Sequence, residues 1–163
     1  MRLRSYTWYE SPVGPLLLAG SRGALHYVSF SSGTHAVSAD PTWTEERAIF
    51  DKAIRQLNEY FAGARKEFSL ELIPEGTDFQ KSVWSELQRI PYGQTISYKE
   101  LAKRIGKPKA VRAVGAANGA NPIPIIIPCH RVIGNDGSLT GFGGGLPLKK
   151  RLLQLESRQL PLL

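Results

Sequence analysis

The sequence predicts an α+β fold in two parts: a small antiparallel sheet covered by one helix, then a mostly helical half. Short apolar segments separated by turn residues fill the first 30 positions, helical periodicity follows, and short helices with glycine and proline turns begin after residue 77. The 163 residues are 42% hydrophobic, which is enough for a buried core. We therefore expect an N-terminal α+β domain at 1–76 and a C-terminal domain at 77–163.

The N-terminal domain opens with a predicted antiparallel meander. Apolar and aromatic residues mark strands at 3–9, 16–19 and 25–30, and turn sequences lie between them at 11–15 and 22–23. Because these turns are short, consecutive strands are expected to pair with each other in one small sheet.

A helix at 45–61 is expected to cover this sheet, because apolar residues recur there at helical spacing and Gly63 ends the pattern. A loop at 33–41 leads into the helix. Alternation over 68–72 predicts one more short strand, and Pro74-Glu75-Gly76 marks the expected domain boundary. The residues that carry the helical spacing are Ala48, Ile49, Ala53, Leu57 and Tyr60.

The C-terminal half predicts a helix-turn-helix. Ser97 and Glu100 have the spacing of a capping box, so a helix begins at Tyr98 and runs to about Ile105. Gly106-Lys107-Pro108 separates it from a second helix at 109–119. An ordinary helical hairpin has the same pattern, and the pattern alone does not decide between the two. An earlier helix carries Phe79, Val83, Trp84 and Leu87 and is followed by a turn at Pro91-Tyr92-Gly93.

The second of these helices presents a smooth outer face of small residues around one cation, Arg112. Gly115 and Gly119 each lower helix propensity by roughly 1 kcal/mol relative to alanine, which suggests that close approach to a partner compensates for the cost. One such partner is DNA, with Arg112 entering the base stack. The alternative is tight packing on another helix, with Arg112 solvated. The outer face holds Arg112, Ala113, Gly115, Ala116 and Gly119, and the packing face holds Ala110, Val111, Val114, Ala117 and Asn118.

The one cysteine, Cys129, follows an apolar run bounded by prolines and immediately precedes His130. A neighbouring imidazole can shift a thiol from its reference pKa of about 8.5 toward the nucleophilic thiolate. Side chains of consecutive extended residues point apart, so His130 could act through a water or a turn. The alternative is a buried, inert cysteine beside a surface histidine.

A carboxylate completes a candidate triad. Glu156 lies on the apolar face of a predicted helix at 148–158, where a carboxylate is costly without a partner. A histidine N–H is a suitable partner, so Cys129, His130 and Glu156 can serve as nucleophile, base and orienting group. The segment 134–145 carries six glycines, and it lacks the Gly-Lys-Ser/Thr sequence of a phosphate-binding loop. Its backbone N–H groups could instead surround a base.

Composition favours a soluble protein with a polyanionic partner. Lys and Arg number 21 against 14 for Asp and Glu, which gives a net charge of +7. No segment approaches the roughly 18 apolar residues of a membrane span, and the N-terminus lacks an apolar run suited to a signal peptide. One cysteine cannot form an internal disulfide, so a reducing, cytoplasmic setting is expected.

Taken together, these segments resemble the O6-alkylguanine-DNA alkyltransferases, also called methylated-DNA–protein-cysteine methyltransferases. The resemblance covers essentially all of 77–156, and its Pro-Cys-His-Arg-Val core is highly specific. For the N-terminal half it holds only in outline, as the small ribonuclease-H-like α+β domain of that family. The matching sequences are Ile127-Pro128-Cys129-His130-Arg131-Val132, Arg112-Ala113-Val114-Gly115, Asn121-Pro122, Phe79-Gln80 with Trp84, Ile90-Pro91-Tyr92-Gly93 and Ser97-Tyr98.

The resemblance implies direct reversal of DNA damage. Cys129 would accept the alkyl group of O6-alkylguanine, or of O4-alkylthymine, once and irreversibly. His130 would act through water, and Glu156 would polarise the histidine. Asn121 would be the hinge between the recognition helix and the active-site loop. Tyr98 would donate toward N3 of the departing guanine and help to rotate the nucleotide.

The resemblance also implies how DNA and base are bound. The helix-turn-helix would enter the minor groove of double-stranded DNA, and Arg112 would fill the gap left by the flipped base. Backbone groups of Cys129 and Val132 would read the guanine edge, and the N–H groups of Phe142 and Gly143 would face its O6. A monomer without a cofactor is implied, with possible side-by-side loading on DNA. The expected DNA-binding residues are Arg112, Ala113, Gly115, Ala116 and Tyr98.

Three departures from known relatives bear on this expectation. Some relatives have serine at the position of Gly143, so a hydroxyl contact to O6 is missing here and the preference for bulky alkyl groups is in question. Some relatives bind a structural zinc. If Cys129 is the alkyl acceptor, the remaining candidate ligands His26, His35 and His130 do not form a plausible zinc site in this chain. A further branch carries tryptophan in place of the cysteine and binds lesions without repairing them, which the presence of Cys129 argues against.

Two other classes of protein use some of the same residues. A cysteine hydrolase could use the same triad through an acyl-enzyme, but it leaves the Arg112 helix unexplained. A DNA-binding regulator with an incidental cysteine leaves the carboxylate of Glu156 unexplained. The sequence therefore favours the alkyltransferase.

Overall fold

A computed structural model describes residues 4–31 and 36–157 of the chain. The strands and helices run, in chain order, as β1 Ser5–Ser11, β2 Gly14–Ser21, β3 Ala24–Phe30, β4 Thr44–Glu45, α1 Asp51–Phe61, α2 Asp78–Leu87, β5 Ile96–Ser97, α3 Tyr98–Arg104, α4 Val111–Gly119, β6 Val132–Ile133 and α5 Leu146–Glu156. Two 3-10 turns lie at Ala48–Phe50 and Cys129–Arg131.

The N-terminal sheet is the predicted meander with one added strand. Its order is β3-β2-β1-β4, with β1, β2 and β3 antiparallel and the two-residue β4 parallel to β1. Gly14, at φ 100°, closes the first hairpin where a residue with a Cβ would be strained. The first residue of the predicted strand at 3–9, and residues 33–35 of the loop at 33–41, lie outside the described residues.

The helix that covers the sheet begins later than predicted. Thr44–Glu45 is a strand, Ala48–Phe50 is a 3-10 turn, and α1 starts only at Asp51. The helical spacing of Ala48 and Ile49 therefore reflects the 3-10 turn that leads into α1. The buried apolar residues of α1 belong to the same hydrophobic cluster as the buried residues of the sheet; they are Ala53, Ile54, Leu57, Tyr60 and Phe61.

The predicted strand at 68–72 is wrong. Phe68, Leu70 and Leu72 alternate because their side chains pack against the core, but only Leu72 forms a bridge, to Leu25 of β3. Leu25 donates its N–H to the carbonyl of Glu71 and accepts from the N–H of Ile73. The segment therefore contacts the edge of the sheet at one point and does not extend it.

The C-terminal half is built around α2 and the pair α3 and α4. Thr77 and Gln80 form a full capping box at the start of α2, which the sequence interpretation did not identify. At α3 only half of the predicted box is present: Ser97 Oγ accepts from Glu100 N at 3.0 Å, while the Glu100 carboxylate accepts from Arg104. The glutamate prefers this charged partner one turn along the helix.

Several contacts join the two halves close to the cysteine. Val28 N–H on the edge strand β3 donates to the carbonyl of Pro122 at 3.0 Å. The rings of Phe30 and Phe142 lie 5.7 Å apart. The apolar residues of both halves form one continuous core. In the described parts of the chain, no helix has the length and apolar character that a bilayer span requires.

Candidate active site and nucleic-acid interface

Cys129 lies in a 3-10 turn at the end of a tightly held apolar segment. The Asn121 carboxamide holds this segment through both of its polar atoms. Its Nδ2 donates to Ile127 O at 2.7 Å, and its Oδ1 accepts from Ile123 N at 2.9 Å. Ile125 within it has φ 74°, a left-handed conformation that costs a β-branched residue on the order of 1–3 kcal/mol. Asn121 is thus positioned to hold a strained loop in place beneath the thiol.

The structure brings His130 and Glu156 together. His130 Nε2 lies 2.6 Å from Glu156 Oε2, and both side chains are buried. Because an ionised carboxylate only accepts, Nε2 carries the imidazole hydrogen. His130 Nδ1 is buried and has no hydrogen-bond partner among the described residues. The unprotonated nitrogen is therefore available to a proton donor such as a water.

Glu156 has two further side-chain partners that the sequence analysis missed. Arg131 Nε donates to Oε1 at 2.7 Å and Nη2 to Oε2 at 3.1 Å, while Nη1 donates to Ile90 O at 2.7 Å. Tyr60 on α1 donates its hydroxyl to Oε2 at 2.5 Å. Burial would raise the pKa of Glu156, but His130 and Arg131 outweigh it and hold that pKa well below its usual value.

The thiol itself is not activated by its surroundings in the resting structure. Burial raises the pKa of Cys129 to about 11, although a hydrogen bond from Asn121 and the charge of Lys149 lower it. This direction is opposite to the shift toward thiolate considered from the sequence. Proximity to His130 in the chain does not override the loss of solvation at a side chain that is only 5% exposed.

Lys149 is a site residue that the sequence analysis missed. Its ammonium is fully buried and donates to Val132 O at 2.6 Å and to Thr140 O at 2.8 Å. Burial lowers the pKa of Lys149 to about 8, and the nearby Cys129 opposes this shift. Lys149 lies on the same face of α5 as Glu156, seven residues or two turns earlier. The argument that identified Glu156, a charged side chain on the apolar face of a helix, could therefore have identified Lys149 as well.

A cavity of about 290 Å³ opens beside the thiol. Phe142 and Gly143, predicted to face the substrate, line it together with Cys129. Val132 and Tyr98, also predicted as substrate-binding residues, are not among the lining residues of this cavity. Val132 is buried, and its carbonyl accepts from Lys149. Tyr98 donates its hydroxyl to Thr140 O at 3.0 Å. From the N-terminal half the cavity is lined by Tyr27, Val28, Ser29, Phe30, Ala36, Val37 and Glu75.

The outer and packing faces of α4 lie as the helical periodicity predicted. Arg112, Ala113 and Ala116 are exposed, whereas Val114, Ala117 and Asn118 are buried. Gly115 lies over Tyr98, where a Cβ would meet the tyrosine ring at 3.8 Å. The small residues thus leave a flat surface directly above Tyr98.

In residues 4–31 and 36–157, no cluster of three or more His, Cys, Asp or Glu side chains could hold a metal ion. His26, one of the histidines considered as a zinc ligand, is buried and contacts Ser21 and Glu75. His35 lies outside the described residues.

The fold and site combine a buried cysteine at the wall of a cavity with the pair of short helices α3 and α4. Two family models match this chain: "6-O-methylguanine DNA methyltransferase, ribonuclease-like domain" over residues 5–74, and "6-O-methylguanine DNA methyltransferase, DNA binding domain" over residues 78–158. The chain therefore belongs to the 6-O-methylguanine DNA methyltransferase family, and the resemblance stated from the sequence is confirmed.

Individual relatives match along nearly the whole chain. A methylated-DNA–protein-cysteine methyltransferase of Methanosarcina acetivorans is 55% identical over 151 residues, which cover 93% of this chain and 97% of the relative. A protein of the same name from Mycobacterium tuberculosis is 51% identical over 156 residues, or 96% and 94% of the two chains. The crystal structure of Mycobacterium tuberculosis OGT in complex with DNA has a TM-score of 0.91 at 50% identity and covers 96% of this chain and 95% of that one. The predicted fold class is confirmed by this match.

Proposed function

We propose that this protein repairs DNA by moving the alkyl group of O6-alkylguanine, and of O4-alkylthymine, onto Cys129. The observation that carries the proposal is the buried thiol at the wall of a cavity, next to a histidine held by a buried carboxylate. The names of the relatives describe transfer from methylated DNA to a protein cysteine, and one structural relative was solved with DNA. A binding module alone would have no use for the buried His130–Glu156 pair.

Proton removal is the first chemical requirement. With the pKa of Cys129 at about 11, only about one thiol in 10⁴ is ionised at pH 7. We propose that the thiol proton passes through a water to His130 Nδ1, whose lone pair is unpartnered among the described residues. Glu156 stabilises the resulting imidazolium, and the ammonium of Lys149 stabilises the thiolate.

Alkyl transfer then follows as a displacement. The thiolate sulfur forms a bond to the alkyl carbon while the bond between that carbon and O6 breaks, and the electron pair stays on guanine. Tyr98, released from Thr140 O, donates toward N3 and stabilises the charge that develops on the base. The product is a thioether, which water does not cleave, so each protein molecule acts once.

The base must leave the duplex to reach the thiol, at a cost of a few kcal/mol. We propose that α3 and α4 enter the minor groove and that Arg112 replaces the stacking of the extruded base. Ala113, Gly115 and Ala116 allow close approach of the helix, with the net charge of +7 favouring the phosphates.

Recognition of guanine is assigned to backbone groups around the cavity. The carbonyls of Cys129 and Val132 are proposed to accept from the exocyclic amine, and the N–H groups of Phe142 and Gly143 to face O6. Val132 O already accepts from Lys149, but a carbonyl has two lone pairs and can accept a second donor.

Domain limits, assembly and location complete the proposal. We place the domains at 1–76 and 77–163, since residues 74–76 follow the backbone hydrogen bond from Ile73 N–H to Leu25 O at the sheet edge. The protein acts as a monomer and can load side by side along DNA. A cytoplasmic location is proposed because Cys129, which reacts only once, must stay reduced until then, and the cytoplasm is a reducing compartment.

Stoichiometry tests the proposal against a cysteine hydrolase. The protein is mixed with a tenfold excess of duplex containing O6-methylguanine, and both repaired DNA and intact protein mass are measured. Repair is expected to stop at one lesion per active protein, with the mass of one methyl group retained on the Cys129 peptide. Continued turnover, or a burst that leaves Cys129 unmodified, would rule the transferase out.

A further inference from the structure

The carboxylate of Glu156 is held from both halves of the chain. From the C-terminal half it accepts from His130 and Arg131, and Gly93 N–H lies 3.5 Å from Oε1. From the half matched by the ribonuclease-like model, Tyr60 donates to Oε2 at 2.5 Å. Oε2 is the same oxygen that His130 contacts, so Tyr60 and His130 share one acceptor.

We propose that Tyr60 is a positioning residue for alkyl transfer: its hydroxyl sets the orientation and basicity of Glu156, and through Glu156 it sets how readily His130 takes the thiol proton. This inference rests on the proposed function and adds to it a role for the N-terminal half. That half would then be part of the catalytic arrangement and not only a support for the fold.

The hydroxyl of Tyr60 is fixed in place. The residue is fully buried, and its ring lies in tilted or edge contact with Phe61 at 5.4 Å, Phe68 at 5.5 Å and Tyr92 at 6.3 Å. A ring held on three sides on a helix cannot turn its hydroxyl toward solvent. Burial, and then the charge of Glu156, raise the pKa of Tyr60 well above its usual value, so the hydroxyl remains a donor.

The shared acceptor has an electrostatic consequence. A neutral donor at Oε2 withdraws negative charge from the carboxylate and weakens its pull on the hydrogen of His130. The charged and titratable groups that face Glu156 are His130 and Arg131 from the 3-10 turn and Tyr60 from α1. Tyr92, from the loop after α2, interacts with Tyr60 and donates its hydroxyl to Leu155 O at 3.4 Å. Removing the Tyr60 hydroxyl leaves the others in place, so Glu156 should hold protonated His130 more tightly.

The test compares Tyr60→Phe with Tyr9→Phe in single-turnover alkyl transfer from pH 5 to 9. Tyr9 is the matched control, because it is also buried and donates its hydroxyl to a neutral side chain, Asn58 on α1, instead of to Glu156. Since transfer needs unprotonated His130, the acid-side midpoint of the rate profile should rise by about 0.5–1 pH unit in Tyr60→Phe. At a pH below both midpoints, the rate would be about 3–10-fold lower. Tyr9→Phe should leave the midpoint unchanged.

A strengthened donor gives the opposite sign and separates the proposal from simple loss of packing. Replacing Tyr60 with 3-fluorotyrosine keeps the ring but makes the hydroxyl more acidic, so the midpoint should fall. If both changes at Tyr60 lower thermal stability yet leave the midpoint at its wild-type position, Tyr60 only packs and the inference is overturned. The pH midpoint of the 3-fluorotyrosine protein decides the question even if Tyr60→Phe folds poorly.

A double-mutant cycle checks that the effect passes through the carboxylate. In a Glu156→Gln background, Tyr60→Phe should not change the pH midpoint further, because the charge that it modulates is absent. The same midpoint shift in both backgrounds would overturn the proposed route. Wild-type protein that never gains an alkyl group on Cys129 would instead refute the proposed function, so the two failures are distinguishable.

Discussion

Glu156→Gln removes one negative charge from the buried cluster around His130 and Arg131 while keeping the shape of the side chain. Arg131 is only 6% exposed, and its guanidinium contacts the carboxylate through both Nε and Nη2. Loss of the counter-charge leaves a buried cation uncompensated, which typically costs about 3–5 kcal/mol. We therefore expect the free energy of unfolding to fall by about that amount at pH 7, measured by urea denaturation.

The stability difference between the wild type and Glu156→Gln should depend on pH. The folded-state pKa of Glu156 lies well below the unfolded value of 4.5, so its stabilisation is complete above pH 4.5 and is lost as pH falls toward the folded pKa. Between pH 7 and pH 3 the wild type should lose roughly 2 kcal/mol through this group, from about 1.5 pH units at 1.36 kcal/mol each. The variant cannot lose this contribution, so the difference between the two proteins should shrink by that amount at pH 3.

Glu100→Gln is the matched control. Its carboxylate pairs with Arg104 at 3.2 Å on the exposed side of α3, where an ion pair contributes about 0–1 kcal/mol. The reasoning about Glu156 would be refuted by a loss no larger than that of Glu100→Gln, or by a difference from wild type that is the same at pH 7 and pH 3.

Three further predictions concern transfer and binding. Cys129→Ser should abolish transfer, because the thiol is the reacting group. Its affinity for duplex DNA, measured by fluorescence anisotropy, should stay within a few-fold of wild type, because α4 makes the DNA contacts. Loss of both transfer and affinity in a folded protein would contradict this division. Arg112→Ala should reduce repair of duplex DNA much more than reaction with free O6-benzylguanine, and equal losses would mean that Arg112 supports the fold. Lys149→Met should slow transfer at pH 7 by at least about 10-fold, because a charge-assisted interaction of about 1.5–3 kcal/mol is lost. The control Lys150→Met, at the exposed neighbouring position, should not slow transfer. Similar transfer rates for the two variants would exclude Lys149 from the site.

The part of the site that could be predicted from the sequence is the part that shows in local periodicity. Glu156 stood out because a carboxylate on an apolar helix face needs a partner, and the structure places His130 Nε2 2.6 Å away. The same reasoning applies to Lys149, whose ammonium is buried two turns earlier on α5. The outer face of small residues on α4 likewise followed from the helical periodicity alone.

Other features depend on tertiary contacts that one sequence does not display. Tyr60 reads as an ordinary core residue of α1, and only the packing of the two halves brings it to Glu156, 96 residues later. The raised pKa of Cys129 reflects its burial, which depends on how the whole chain packs and not on its sequence neighbour His130. Local alternation also misled at 68–72, because side chains can alternate along a segment whose backbone pairs only at Leu72.

The hydrogen bond from Val28 to Pro122 has a consequence for dividing the protein into pieces. β3 is one of the two outer strands of the sheet. The edge of β3 that does not pair with β2 is covered near Leu25 by the segment around Leu72, and at Val28 by the loop beneath the thiol. A fragment that ended before the second half would expose that strand edge together with the apolar residues behind it. Exposed edges pair readily with copies of themselves. Truncations and chimeras should therefore retain the loop that carries Pro122, even when no chemistry is required of them.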